Sequence, residues 1–227
     1  METNQGSIIN QAKISEQVYD YLREAILAGR FAPGERLDLD GLVERLNISK
    51  MPIKEAVGRL AVEGLLDIQA RRGTFVARVE ARDLEEVFQI RCALEVLAGE
   101  LAVEHVTAAD IKKLEELIAD MEASAKHKDV SRHLEKNFEF HELIVGLSGN
   151  RRLLPVYRQL RTPIHIAAVH YSSPNWLDRV KQEQREHRAI VRALRQRDSQ
   201  AIRLAITEHL KRAQVSLVGD VKRTNIS

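Results

Sequence analysis

Apolar residues recur at helical spacing over most of this 227-residue chain. In ISEQVYDYLREAILA, residues 14–28, Val18, Leu22, Ile26 and Leu27 share one face, as side chains three and four apart do on an α-helix. Gly29, Pro33 and Gly34 break the pattern. Asp40 is placed to cap a short helix, GLVERLN, and Ser49 to cap a second, MPIKEAVGRLAVEG. Pro52 suits the first turn of that second helix, where a missing N–H costs nothing, and Gly64 suits its end. The rhythm then changes. LLDIQARRGTFVARV reads as two short alternating runs joined at Arg71-Arg72-Gly73, a β-hairpin. From Asp83 the helical period returns, predicting helices over 83–105, 108–127, 130–148, 151–171, 177–196 and 199–217, with Asn150, Pro174 and Asp198 at turns or caps.

The expected fold class is therefore mainly α. Three helices and a hairpin within about 65 residues form a winged helix-turn-helix, expected over residues 1–78, with the small hairpin as its wing. An antiparallel helical bundle is expected over residues 79–227, after a short charged linker, Arg78 to Arg82.

Composition narrows the function classes. Hydrophobic residues at 44% and charged residues at 30% describe an ordinary globular protein. No apolar run approaches the ~18 residues of a membrane span, so no membrane partner is expected. The opening METNQGSIINQ lacks the basic and apolar regions of a secretory signal. The single cysteine, Cys92, allows no internal disulfide and fits a cytoplasmic location. A net charge of +2 does not by itself announce nucleic acid, but between Lys50 and Arg78 six basic residues stand against three acidic ones. All eight histidines lie beyond residue 100, which makes the C-terminal part the place to look for ligands.

In a helix-turn-helix the second helix enters the major groove, its N-terminal residues meeting base edges and phosphates. Ser49, Lys50, Met51 and Lys54 occupy that end, and Lys50 and Lys54, four apart, project from one face. Arg59 belongs to the same basic stretch. Arg71, Arg72 and Thr74 sit at the wing, where they can reach phosphate or the minor groove, and Gly73 permits the tight turn. A solvated basic surface is the plainer reading of such a cluster; cap, helix and basic hairpin together favour double-stranded DNA.

The segment LVERLNISKMPIKEAVGRLAVEGLLDIQARRGTFV resembles the DNA-binding signature of the GntR family. It departs in one consistent way: Lys50 and Lys54 stand where the family usually has arginines, Met51 where it usually has threonine, and Asp40 where some members carry another arginine. Lysine is a point charge on a flexible stem and cannot fork onto guanine as arginine does. The helical remainder resembles the FCD domain of the FadR subfamily, carried by IRCALEVLAGELA (90–102), NFEFHELIVGLSGN (137–150), EHRAIVRALRQRDSQAI (186–202) and TEHLKR (207–212).

That second resemblance implies a divalent metal held by an Asp and three His, at positions that here read Asn137, His141, His187 and His209. Three imidazoles from three helices suit zinc or nickel. Core-edge histidines with hydrogen-bonded rings are the alternative. Asn137 in place of the commoner Asp can ligate through its amide oxygen without bringing charge, or can bond a ligand or water. His133, one turn earlier, is a possible substitute for Asn137 but reads rather as a surface residue. The effector candidates are Arg91, Asn137, His165 and Trp176. The Arg91 fork suits an acid but equally suits a salt bridge with Glu95; Trp176 is a pocket wall or plain packing; His165 is a cavity-lining candidate outside the metal pattern.

The resemblance thus implies a homodimeric transcription regulator, in the family's usual form a repressor. It reads a palindromic operator and responds to a small organic-acid or sugar-acid effector. Two other readings stand beside it. One is a regulator whose C-terminal domain is metal-free and only dimerises. The other is a metal-dependent hydrolase, since a three-histidine site with an open position can activate water. Against the hydrolase, Glu142 and Glu186 adjoin histidines but point about 100° away around their helices, and the N-terminal module would go unexplained.

Overall fold

The computed structural model describes residues 5–170 and 176–224. The chain divides into two compact units, Met1–Arg78 and Val79–Ser227. Among the described residues there are ten helices and one two-stranded sheet. No helix among them is long and apolar enough to cross a membrane.

The first unit contains α1 (Gln5–Leu27), α2 (Leu39–Leu46), α3 (Lys50–Val62), β1 (Leu66–Gln69) and β2 (Gly73–Val76). The stripe anticipated on α1 is its core face: Val18, Leu22, Ala25 and Ile26 are buried with Leu42, Ile53, Leu60 and Val76. One cap differs from expectation. Asp38, not Asp40, caps α2, accepting from Gly41 N at 2.9 Å. The helix starts two residues earlier than its pattern suggested, which leaves the Asp40 carboxylate free of capping duty. Ser49 holds the N-cap position of α3 in extended backbone, but its hydroxyl makes no capping bond. The hairpin is antiparallel, running from Leu66 opposite Val76 to Gln69 opposite Gly73. Its turn uses two left-handed residues, Arg71 (φ 64°) and Gly73 (φ 123°). Gly73 is required twice over, because a Cβ there would lie 2.8 Å from Arg36 Nε.

The second unit contains α4 (Ala81–His105), α5 (Ala108–Lys126), α6 (Val130–Leu147), α7 (Leu153–Gln159), α8 (Arg161–His170), α9 (Trp176–Gln196) and α10 (Ser199–Thr224). Capping boxes at Glu80/Asp83 and Thr107/Asp110 start α4 and α5. The Asp129 and Asp198 carboxylates cap α6 and α10. α4 packs along α10 and α6, and α5 against α6 and α9. Gly99 lets α4 and α10 approach closely: a Cβ there would lie 2.7 Å from Ile206 Cδ1. The single helix expected over 151–171 is instead two, broken at Leu160. Pro163 lacks the N–H that would continue the ladder from α7, and its ring crowds the preceding turn. Pro174 lies outside the described residues.

Candidate functional site

In the first unit, exposed Lys50 holds Asp40 at 2.6 Å, Nζ to Oδ1. Lys54, Arg71 and Arg72 are exposed, and so is Met51. A cleft of about 440 Å³ runs between the start of α2, the start of α3 and the wing, walled by Arg36, Asp40, Lys50, Lys54 and Gly73. Arg36 was not among the sequence candidates; a backbone bridge to Phe75 brings it beside the wing, a tertiary pairing that no local pattern announces. Two candidates are placed differently from the rest. Arg59 donates to Glu16 and lies over the Tyr19 ring at 3.9 Å, tying α3 to α1. Thr74 is buried, only 5% exposed, and its carbonyl accepts from Leu37 N.

In the second unit, α6, α9 and α10 bring His141, His187 and His209 together, one ring nitrogen of each lying within 4.8 Å of the others. All three side chains are buried. His141 Nδ1 donates to Glu95 Oε2 at 2.7 Å, and His209 Nδ1 donates to Glu186 Oε2 at 2.9 Å. A carboxylate only accepts, so each of these rings carries a proton on Nδ1, and in its neutral form leaves a bare lone pair on Nε2. The two Nε2 atoms face one another at 3.2 Å. Neither nitrogen of His187 has a hydrogen-bond partner among the described residues.

Burial disfavours the charged form of two of these rings, His141 and His187. It holds the His141 imidazole down at about 4, outweighing the pull of Glu95, and holds His187 well below the ordinary histidine range. Burial would raise the Glu95 carboxyl, but Arg91 and then His141 outweigh it and hold it well below the usual range. Arg91 Nε donates to Glu95 Oε1, the salt bridge foreseen as one of its two readings. Its Nη2 is buried without a hydrogen bond among the described residues, so the other reading keeps a donor. The Tyr157 hydroxyl joins the Arg91–Glu95 pair, and burial pushes its pKa well up.

Beside the histidines lies a cleft of about 100 Å³. Its walls include His209, Asn137, Arg91, Trp176, His133, Arg212 and Glu183, with apolar surface from Phe88, Leu134 and Val180. Asn137 Oδ1 is buried with no hydrogen bond among the described residues. Trp176 opens α9 and meets the His133 ring edge-on at 5.3 Å. His133 is no surface residue: it is 1% exposed, bonded through Nδ1 to Met121 O at 3.1 Å and facing Glu183 at 3.4 Å. His165 is buried and stacks on Phe138 at 5.9 Å; it does not line this cleft. Sequence reasoning also missed Glu95 and Glu186 as partners of the histidines, because each contact crosses from one helix to another.

Three buried rings with nitrogens this close together form a group that could hold a cation. Unpartnered buried nitrogens are costly, and a soft divalent ion accepting three imidazoles removes that cost at once. The residues present therefore fit a metal, with the carboxylates on the far side of two rings fixing their tautomer and orientation.

Comparison with known proteins gives the same two-part division. A family model described as "Bacterial regulatory proteins, gntR family" matches residues 14–76, and one described as "FCD domain" matches residues 86–212. The chain is 29% identical to the HTH-type transcriptional regulator YdhC of Bacillus subtilis over 85% of this chain and 86% of that one. It is 26% identical to the HTH-type transcriptional repressor RspR of Escherichia coli, over 90% and 89% respectively. The solved structure of E. coli McbR/YncC superposes with a TM-score of 0.75 at 25% identity, covering 90% of this chain and 96% of that one.

Proposed function

The chain belongs to the GntR family of bacterial regulatory proteins and carries an FCD domain, and from that premise we propose that it is a metal-dependent, ligand-responsive repressor. It is a DNA-binding transcription regulator and not an enzyme, as the family and its relatives' names indicate. The hydrolase reading ends there.

One observation carries the metal reading: the two bare Nε2 lone pairs of His141 and His209 face each other at 3.2 Å with the unpartnered His187 beside them. His141, His187 and His209 would hold the ion, and Asn137, which lines the same cleft as His209, would have an uncharged oxygen to offer. Bound there, a zinc or nickel ion supplies a Lewis-acidic site that accepts a carboxylate. Arg91 adds a charged donor through Nη2, and Trp176 closes the cleft with apolar surface. The ligand is a small organic or sugar acid.

At the other unit, Lys50, Lys54, Arg71 and Arg72 supply phosphate and base-edge contacts, with Met51 offering an apolar contact to a thymine methyl. Ser49, Gly73 and Thr74 shape the ends of the two reading elements. Two copies of the chain place two such heads on a palindromic operator in the cytoplasm. The acid releases DNA only if it binds the DNA-incompetent arrangement more tightly than the competent one.

The test is a titration by fluorescence anisotropy. An operator is selected from a random duplex pool, and protein purified without a nickel column is titrated onto it, metal-free, zinc-loaded, and zinc-loaded with organic acids. The proposal expects tight, salt-dependent binding that at least one acid weakens only in the metal-loaded protein. Equal release from metal-free protein refutes the metal's part in it.

A further inference from the structure

Asp40 is a carboxylate in a cationic cleft. It lines the same space as Arg36, Lys50 and Lys54, beside the start of α3, the end of a recognition helix that meets DNA. A carboxylate there repels every phosphate it approaches. The fold does not require it. The capping bond of α2 belongs to Asp38, which accepts from Gly41 N. The ion pair of Asp40 with Lys50 leaves the two side chains 78% and 66% exposed, and such surface pairs add little to stability.

A carboxylate only accepts. Phosphates accept too, and so do most polar atoms on the major-groove edges of the bases. The donors there are amino groups, N4 of cytosine and N6 of adenine. Lys50 decides between them. Its ammonium has three N–H groups, of which Asp40 takes one and two remain. A G·C pair presents two adjacent acceptors, guanine N7 and O6, and then the cytosine N4 donor. In an A·T pair the donor lies between two acceptors, with the thymine methyl beyond them. An acceptor standing beside a group with two donors matches the first order and not the second. The spacing agrees. Lys50 Nζ and Asp40 Oδ1 are 2.6 Å apart; guanine O6 and cytosine N4, hydrogen-bonded to each other, are about 2.9 Å apart.

We infer that Asp40 and Lys50 act as one reader of a G·C base pair in each half-site, Lys50 donating to the guanine and Asp40 accepting from the cytosine amino group. This rests on the placement of α3 on DNA proposed above and deepens it. Lysine alone is a point charge on a flexible stem; Asp40 gives it a direction. Asp40 also offsets the charge of Lys50, so the pair gains little from DNA of any other sequence. Asp40 is thus a specificity-determining residue that lowers affinity for DNA in general.

The test uses full-length protein and the operator selected by wild type. Each base pair of one half-site is replaced in turn, and binding is measured by fluorescence anisotropy for wild type, Asp40→Ala and Lys50→Ala, alongside a duplex of random sequence. In wild type, replacing one G·C pair by A·T should weaken binding about tenfold to a hundredfold. Both variants should lose most of that preference, at that same pair, with helical circular dichroism unchanged. On the random duplex Asp40→Ala should bind more tightly than wild type. Its slope of log affinity against log salt should be steeper by about 0.9 per chain, as the freed Lys50 takes a phosphate. An unchanged preference in Asp40→Ala, or a loss at a pair that Lys50→Ala does not affect, overturns the inference and leaves the placement of α3 standing. If Lys50→Ala alters neither preference nor affinity, that placement fails as well.

Discussion

His141 Nε2 and His209 Nε2 stand 3.2 Å apart, and behind each ring a carboxylate accepts from the opposite nitrogen, Glu95 from His141 Nδ1 and Glu186 from His209 Nδ1. Glu95 and Glu186 thus do at a distance what the ligands do at the ion: they choose the tautomer and raise the basicity of the nitrogen that faces it. Glu186→Gln should weaken zinc or nickel binding by about tenfold to a hundredfold. Because Glu186 is only half-buried and also serves Arg212, the fold should survive the change. Competition against a chelating dye measures the affinity; an unchanged value removes Glu186 from the site.

Asn137 offers an orphan oxygen where a charge would do more. Asn137→Asp should tighten metal binding by tenfold or more, since the added charge meets a cation in a poorly solvated place. In metal-free protein the same charge has nothing to meet, and the melting temperature should fall. A variant destabilised equally with and without metal would separate Asn137 from the ion.

The His133–Glu183 pair sets a pH window for stability. Burial alone would lower His133, but Glu183 outweighs it and raises the imidazole above 6.5. That contribution is complete below 6.5 and is lost as pH climbs through the folded value. Burial would raise Glu183, but His133 outweighs it and lowers the carboxyl from 4.5 to about 2. That contribution is complete above 4.5 and is lost as pH falls toward about 2. Both hold between 4.5 and 6.5. His133→Gln should therefore cost about 2 kcal/mol in that window and progressively less as pH rises past it. Urea unfolding across a pH series measures the difference; a cost that does not vary with pH contradicts the charged pair.

The recognition helix separates two basic residues by what they touch. Lys54→Ala should reduce the slope of log affinity against log salt by about 0.9, the share of one phosphate contact. Arg59 is held by Glu16 and Tyr19. Arg59→Ala should leave the slope unchanged and lower stability by about 1 kcal/mol, through the lost tie between α3 and α1. A slope change in Arg59→Ala would move that residue to the DNA.

What was legible in the sequence was what repeats locally. The apolar period of α1, the hairpin alternation around Arg71 and the cap at Asp198 each depend on neighbours within a few positions. The split of α7 from α8 was also written there, in Pro163, but the continuing apolar period masked it. Asp38 and Asp40 lie two apart and look equally able to cap; only the start of α2 decides between them. The site was legible as three histidines on three helices and no further. Glu186 does point away from His187 around α9, as helix geometry requires, and that direction leads to His209 on α10. Glu95 looked like an i,i+4 partner for Arg91, and it is one, yet its second oxygen reaches across to His141 on α6. His133 looked like a surface residue because nothing in its own helix shows that Met121 and Trp176 cover it.

The account turns on an ion held by His141, His187 and His209. Its most direct test is the metal content of wild type and His187→Ala, both purified without immobilised metal, equilibrated with zinc, desalted and analysed by mass spectrometry. The account predicts about one ion per chain in wild type and none in the variant, with the two giving the same helical circular dichroism. A folded variant that keeps its zinc, or a wild type that takes up none, contradicts it.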